Sequence, residues 1–492
     1  MLRKLIDSPW TYFALASVLV ILAILSQIQT VGEDAPEGTV ADLESLSDRD
    51  DLNVIFILID TLRADRLGAY GYERNTSPNL DALAARGIRF ASAESQSSWT
   101  KASMASLWAS RYPERTGVTR SDDAISQEAL LPAEILNEAG YQTAGIWRNG
   151  WVANNFGFGQ GFDLYYKPTP NRNPGARRGR SPSEFQLGGS DLDITESALE
   201  FMTNHKNDRF FLYLHYMDVH QYVSSDQSPS WGTSFSDNYD RSIFWTDQNI
   251  GLLMEKLFEL ELLSHTMIVI ASDHGEGFFE HGGEGHARSL YKEVQHVPLI
   301  IVPPIRLAEG VVVEESVANI DIWPTVLDMM GLPPVPDAEG RSLLPLILEG
   351  SKEGVDAEAL RNRSLFAQLD KNWGKRTKGP DPLISMVDGS YRYIFLESVP
   401  EATEVYDRST DPLEKKNIVR DNSVPIAELQ AKVKNFLDAG SPVWGDAPRV
   451  DVDEMMQAQL RALGYAFTMT NPEEVQRRKK AAEEVQQNQK WD

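Results

Sequence analysis

The sequence predicts an α/β fold built around a large, mostly parallel sheet. Three observations predict it. Apolar, β-branched runs recur between Asn53 and Pro304. Helix-patterned stretches such as "SPNLDALAARGIRF" and "DQNIGLLMEKLFELELL" separate them, and that alternation calls for parallel strands covered on both faces. Several of the runs end abruptly in ionisable side chains. Read as strands, the runs are Asn53–Asp60, Tyr141–Trp147, Arg209–His220, His265–Glu276 and His296–Pro304.

Arg3 and Lys4 precede an apolar run from Trp10 to Ile28. As a helix it would be about 28 Å long, near the hydrocarbon thickness of a bilayer. No A-x-A cleavage site follows, so the run reads as an uncleaved anchor. The basic flank sets the N-terminus in the cytoplasm and the rest of the chain outside it, in the periplasm or extracellular space. The next stretch, "GEDAPEGTVADLESLSDRDD", carries eight carboxylates and few large apolar residues, and reads as a flexible acidic tether.

The formal net charge of −25 disfavours nucleic acid as a partner, because nothing resembles a basic stripe. The chain contains no cysteine. Disulfides, thiolate metal sites and a cysteine nucleophile are therefore excluded.

In open α/β sheets, sites form beyond the carboxyl ends of the strands. The first run ends at Asp60; the third carries His215, then Asp218 and His220; the fourth ends at Asp273, His274 and Glu276. Carboxylates with an imidazole and no thiolate suit a single divalent cation: Zn, Mn, Ca or Mg.

Further segments carry a resemblance. "VIFILIDTLRADRLGAYGY" is followed by "WTKASMASLWASRYPERTGV", "YLHYMDVH", "IVIASDHGEGFFEHGGEGHARSLYKEVQHVPLII", "NIDIWPTVLDMMGLPPVPDAEGRSLLPLI" and "EVYDRSTDPLEKKNI". In that order, over about residues 53–420, they resemble the sulfatase family of the alkaline phosphatase superfamily. The resemblance implies an α/β/α sandwich around a large mixed sheet, with a small antiparallel C-terminal sheet. It implies a metal held by Asp60, Asp273 and His274, and a nucleophile at Thr100 that also touches the metal. It matches His220 to a substrate-binding histidine, and His286 to a basic group near the ester oxygens.

The chain also departs from that family. Where sulfatases carry C/S-x-P-S-R, it reads Thr100-Lys101-Ala102-Ser103-Met104. Threonine is not a substrate for oxidation to formylglycine, so that cofactor is not expected. Thr61 stands where a second aspartate is usual, and Met104 where the arginine is usual. Lys101 and Arg111 are candidate replacements for that arginine, Lys101 at a non-bridging oxygen and Arg111, with His215, in substrate binding. A sulfated threonine lacks the elimination that regenerates an aldehyde, whereas a phosphothreonine is open to attack at phosphorus. Thr100 therefore favours phosphate esters, by hydrolysis or transfer, over sulfate esters. The expected substrate is an anionic ester, with a glycan or lipid head group. Sulfate-ester hydrolysis is one alternative. An inactive, membrane-tethered binding module for anionic ligands is another.

"NPGARRGRSPSEFQLGG" reads as a solvated loop or an arginine-bearing flap, and Trp147, Trp151, Phe156 and Phe158 as core or pocket. "LISMVDGSYRYIFLE" predicts a hairpin at Asp388-Gly389. The expected domains are 1–30 (anchor), 31–52 (linker), 53–375 (catalytic), 376–445 (small C-terminal subdomain) and 446–492 (charged helical tail).

Overall fold

A computed structural model describes residues 35–169, 176–178, 189–349, 357–375 and 377–451. The anchor, most of the arginine-rich loop and the tail beyond 451 lie outside these residues. Among the described residues, no helix is long and apolar enough to cross a membrane.

Among the described residues, the main sheet has eight strands. In chain order they are β1 (Asn53–Ile59), β2 (Ile88–Glu94), β3 (Gln142–Trp147), β4 (Leu164–Tyr166), β5 (Phe210–Tyr216), β6 (Thr266–Ala271), β7 (His296–Val302) and β8 (Val311–Ala318). Their spatial order is β8-β2-β7-β6-β1-β5-β3-β4. Only β7 runs against its neighbours, β2 and β6; every other pairing is parallel. The sheet is thus mixed and mostly parallel, as the sequence predicts.

Every residue of β1 is buried, as a central strand covered on both faces must be. Val54, Phe56 and Leu58 enter one core with Ala102, Met104, Trp323 and Val326. Ile55, Ile57 and Ile59 enter the other with Leu80, Ile194, Ile243 and Leu253. The helices on the second face are α1 (Pro78–Ala84), α4 (Asp191–Asn204) and α6 (Phe235–Glu259); those on the first are α2 (Thr100–Ala109) and α7 (Ile322–Met329). Two further helices, α3 (Pro132–Glu138) and the single turn α5 (Asp218–Gln221), connect strands.

β2 corrects the sequence expectation, which ran a helical pattern through Phe90. Gly87 divides the segment. A Cβ there would lie 2.7 Å from the Ile301 carbonyl oxygen, so the chain passes close against β7 and turns into a strand.

The acidic segment is also not a free tether from Glu37 onward. Glu37–Gly38 pairs in parallel with Arg306–Leu307, and Val40–Asp48 forms a 3₁₀ helix. Leu43 and Leu46, three residues apart, are buried on its inner side among the first core. Leu43→Ala is expected to destabilise the protein by about 2–5 kcal/mol in chemical denaturation, as for other buried leucines; a tether would show no change.

The small sheet is antiparallel, in the order β9 (Leu365–Asp370), β10 (Pro382–Asp388), β11 (Tyr391–Leu396) and β12 (Glu404–Asp407). β9 falls within the range assigned above to the catalytic domain. The hairpin turns at Gly389–Ser390, one residue later than expected, with Gly389 at φ +54°. The helix α8 (Ile426–Asp438) lays Leu429 and Val433 on this sheet. Residues 448–450 return to bond the backbone at 122–124.

Candidate active site

Strand register assembles the site. β1 and β6 are parallel neighbours, with Leu58 opposite Ala271. Two residues further along each strand stand Asp60 and Asp273. The chain turns as it leaves β6, so His274 also faces inward. Asp60, Asp273 and His274 are fully buried, and one ligand atom from each lies within 4.8 Å of the others. Thr61 takes the left-handed conformation, φ +61°. Its hydroxyl donates to the Asp60 carbonyl at 2.6 Å, and its amide to Asp273 Oδ1 at 3.2 Å. The His274 amide donates to the same Oδ1 at 2.9 Å. Thr61 thus fixes the turn and adds no carboxylate.

The donor set fits a divalent cation. Asp60 Oδ1 and Asp273 Oδ2 are buried without hydrogen-bond partners. Orphaned carboxylate oxygens are costly in a protein interior unless a positive charge meets them. Burial raises the Asp60 carboxyl, but His220, His215 and His274 outweigh it and hold the group below the ordinary carboxylate range. Burial and the neighbouring Asp60 push Asp273 the other way, upward. Two carboxylates so close, one pulled down and one pushed up, are what like-charge repulsion produces.

Thr100 opens α2, with Trp99 as its N-cap. All ten residues of this helix are buried, and Ala102, Ser103, Ala105 and Ser106 keep it thin enough to lie inside the protein. Its N-terminus sets the positive end of the helix dipole at Thr100, beside His274, a setting suited to an anionic ester. Thr100 Oγ1 is 3.2 Å from His274 Nε2. His274 Nδ1 donates to the Gly275 carbonyl at 3.0 Å, so in the neutral ring Nε2 carries the lone pair.

Asn149 is a member of the site that the sequence reasoning missed. Its Nδ2 donates to Asp60 Oδ2 at 2.6 Å and lies 3.4 Å from Thr100 Oγ1. Its Oδ1 accepts from the Trp151 amide at 2.9 Å, which sets which way the amide points. The signal was available: Asn149 follows β3 at the same carboxyl edge as Asp60.

His215, expected to bind substrate, instead stands behind Asp60. It is fully buried, accepts from the Tyr213 hydroxyl at 2.6 Å and donates Nε2–H to Asp60 Oδ2 at 3.1 Å. It orients the carboxylate. His220 and His286 lie at the site, their rings 4.9 Å apart, and the His286 ring is 4.6 Å from that of His274. Burial pushes His220 down to about 4, so it is neutral near pH 7. His286 Nδ1 meets Glu276 Oε1 at 3.1 Å. Burial lowers His286, but Glu276 outweighs it and raises the ring above its ordinary value.

Lys101 and Arg111 do not take the expected places. The Lys101 ammonium donates to the Ser121 carbonyl at 3.0 Å and lies 3.5 Å from the Phe156 ring centroid. Arg111 stands beyond the far end of α2, whose ten residues put about 14 Å between Thr100 and Ala109. It donates to the Pro336 carbonyl and faces Trp444. Trp151, Phe156 and Phe158 are core, packed with Trp99 and Trp373. Asp218 is held by Arg148, the Asp191 amide and Trp245.

The family model described as Sulfatase matches residues 52–332, and that described as "N-sulphoglucosamine sulphohydrolase, C-terminal" matches residues 280–440. The chain is 28% identical over 420 residues to an ulvan-active sulfatase of Formosa agariphila, covering 74% of this chain and 80% of that one. It is 21% identical over 504 residues to an N-acetylglucosamine-6-O-sulfatase of Bacteroides thetaiotaomicron, covering 80% and 87%. The structure of a phosphonate monoester hydrolase of Agrobacterium radiobacter shares the fold, with a TM-score of 0.61, 18% identity and coverage of 78% and 95%.

Proposed function

The chain belongs to the sulfatase family, whose members are ester hydrolases, and from that premise we propose that it is a metal-dependent hydrolase of sulfate esters on saccharides, with Thr100 as nucleophile. The observation that carries the reading is the Thr100 hydroxyl, 3.2 Å from His274 Nε2 at the edge of a buried two-carboxylate, one-imidazole set. The relatives that act on ulvan and on N-acetylglucosamine 6-sulfate support the substrate class.

Asp60, Asp273 and His274 would hold a divalent cation, which would supply Lewis-acid neutralisation of the ester and lower the pKa of a hydroxyl beside it. The protein's own groups do the rest. Asn149 and His215 hold Asp60 in place. The α2 amides face the non-bridging oxygens. Thr100 Oγ, having released its proton to solvent, bonds to sulfur as the bond to the leaving oxygen breaks. His286, held against Glu276 and shifted upward by it, gives that oxygen its proton, and neutral His220 hydrogen-bonds the ester. Water then attacks the sulfur and gives a proton to His286, neutral after the first step, as the bond from sulfur to Thr100 Oγ breaks.

A second reading, phosphate-ester hydrolysis or transfer, rests on Thr100 itself, since a threonine ester of phosphate is more open to displacement by water or an alcohol. The fold neighbour that hydrolyses phosphonate monoesters is consistent with it. The test is kcat/KM on matched aryl and sugar sulfates, phosphate monoesters and phosphate diesters. Sulfate preferred by tenfold or more, as roughly one pocket interaction supplies, supports the first reading; phosphate preferred supports the second. Membrane tethering by residues 1–30, with the catalytic domain outside the cytoplasm, is part of the proposal. Membrane fractionation of the full chain against a version beginning at residue 35 tests it.

A further inference from the structure

The segment "EVYDRSTDPLEKKNI" has so far no part in the chemistry, yet one of its residues reaches the loop that carries His286. Glu414 is fully buried and left-handed, with φ +55°. Its carbonyl accepts from His281 Nε2 at 2.7 Å, and its Oε2 accepts from the Lys292 amide at 2.8 Å. His281 and Lys292 bracket His286 in sequence. Glu414 Oε1 takes the Arg392 guanidinium at 2.5 Å, and Arg392 in turn meets Glu94, at the end of β2, at 2.9 Å. One residue of the C-terminal subdomain therefore ties both ends of the loop to the main sheet.

His281 strengthens the tie. Its other nitrogen, Nδ1, lies 2.9 Å and 3.1 Å from the Glu293 carboxylate oxygens. A carbonyl and a carboxylate only accept, so both ring nitrogens carry protons and the ring is an imidazolium. It stacks on Tyr291 at 3.9 Å between centroids. At its centre the loop is held by the Ala287 amide, which donates to the Ser98 carbonyl at 2.7 Å, two residues before Thr100. Placement of His286 against Glu276 and His274 thus depends on where this loop sits.

We propose that Glu414 is a positioning residue for catalysis: through His281 and Lys292 it holds the 281–292 loop so that His286 can protonate the leaving oxygen. The C-terminal subdomain is then part of the catalytic apparatus. The inference rests on the acid role given to His286 above, and the test separates the two.

Glu414→Gln removes the charge facing Arg392 and one of the acceptors. Lys292→Pro removes the amide and, with the side chain, the ammonium that donates to the Pro412 carbonyl at 2.9 Å, a loss that Lys292→Ala shares. Lys292 is the first residue of a short helical turn, a position that tolerates proline, and Tyr291 before it is extended, with ψ 171°, as a residue preceding proline should be. Lys292→Ala keeps the amide and is the control. Each variant is assayed on an alkyl ester, whose leaving group needs a proton, and on a nitrophenyl ester, whose leaving group does not. Hydrogen exchange of residues 281–292 is measured in parallel.

Glu414→Gln and Lys292→Pro are expected to lower kcat on the alkyl ester about tenfold while changing the nitrophenyl ester less than about twofold, with KM nearly constant. Exchange in the loop rises in both variants and stays unchanged in Lys292→Ala. Equal losses on both esters, or wild-type rates with unchanged exchange, overturn the proposal, and Lys292→Pro decides it if Glu414→Gln does not fold. If exchange rises as expected but His286→Gln itself shows no difference between the two esters, Glu414 still positions the loop and the acid role of His286 falls.

Discussion

Thr100→Ala is expected to lose at least about 10³-fold in kcat, as removal of a covalent nucleophile does, while the protein folds with wild-type stability. Alanine is the best helix former, and the substitution sits at the first position of α2, where the Trp99 N-cap remains. The hydroxyl faces the His274 Nε2 and Asn149 Nδ2 atoms of the site, so its removal strikes the chemistry and leaves the apolar cores untouched. Thr100→Ser restores the hydroxyl without the methyl group and should recover measurable turnover. Activity assays on purified variants, beside thermal melts, check both halves. A Thr100→Ala enzyme within tenfold of wild type would remove the covalent mechanism and leave the metal site with a water nucleophile.

The second large effect concerns the carboxylate pair. Chelation followed by dialysis should reduce activity by about 10² or more, and a divalent cation should restore it. Stability should follow the metal as well. A cation at a hundredfold its Kd adds about 2.7 kcal/mol to a folded state that alone binds it. Asp273→Asn separates this from general damage. The asparagine Oδ1 can still accept from the Thr61 and His274 amides, which bond Oδ1 in the native protein. Its Nδ2 replaces Oδ2, the oxygen without a hydrogen-bond partner. The change also removes a buried charge that Asp60 repels. Metal-free Asp273→Asn should therefore melt at or above metal-free wild type, yet gain nothing from added cation and show no turnover. A metal-free variant melting well below metal-free wild type would mean that the pair is a structural network and that the cation is not what it waits for.

Much of this site could be read in the sequence because ionisable groups stand where buried strands stop. Asp60 directly follows an apolar run and Asp273 follows one after a single serine, and strand register puts them side by side. Thr100 was legible from motif order. Asn149 escaped although it follows β3 in the same way, because an uncharged amide among turn formers reads as a loop. Lys101 and Arg111, candidates for the arginine that Met104 replaces, are near Thr100 in sequence, and a helix undoes that nearness. Its winding turns Lys101 toward Ser121, and its rise carries Arg111 away from the site. His215 was misjudged as a ligand-facing group because its level in the sheet, beside Leu58, appears only once β1 and β5 are paired. The acidic segment hid two leucines at 3₁₀ spacing among eight carboxylates, so composition outweighed pattern. The tie from Glu414 to the His286 loop joins residues more than a hundred positions apart, and no local signal announces it.

The central claim is that Thr100 carries the transferred group, and one measurement addresses it directly. Enzyme mixed with substrate and quenched in acid within a single turnover is digested and mapped by mass spectrometry. A phosphoryl or sulfuryl adduct on Thr100, absent from Thr100→Ala and formed no more slowly than product appears, is the predicted result, and accurate mass or isotopic label identifies which group it is. Product formed at the full rate with Thr100 unmodified at every quench time would contradict the account.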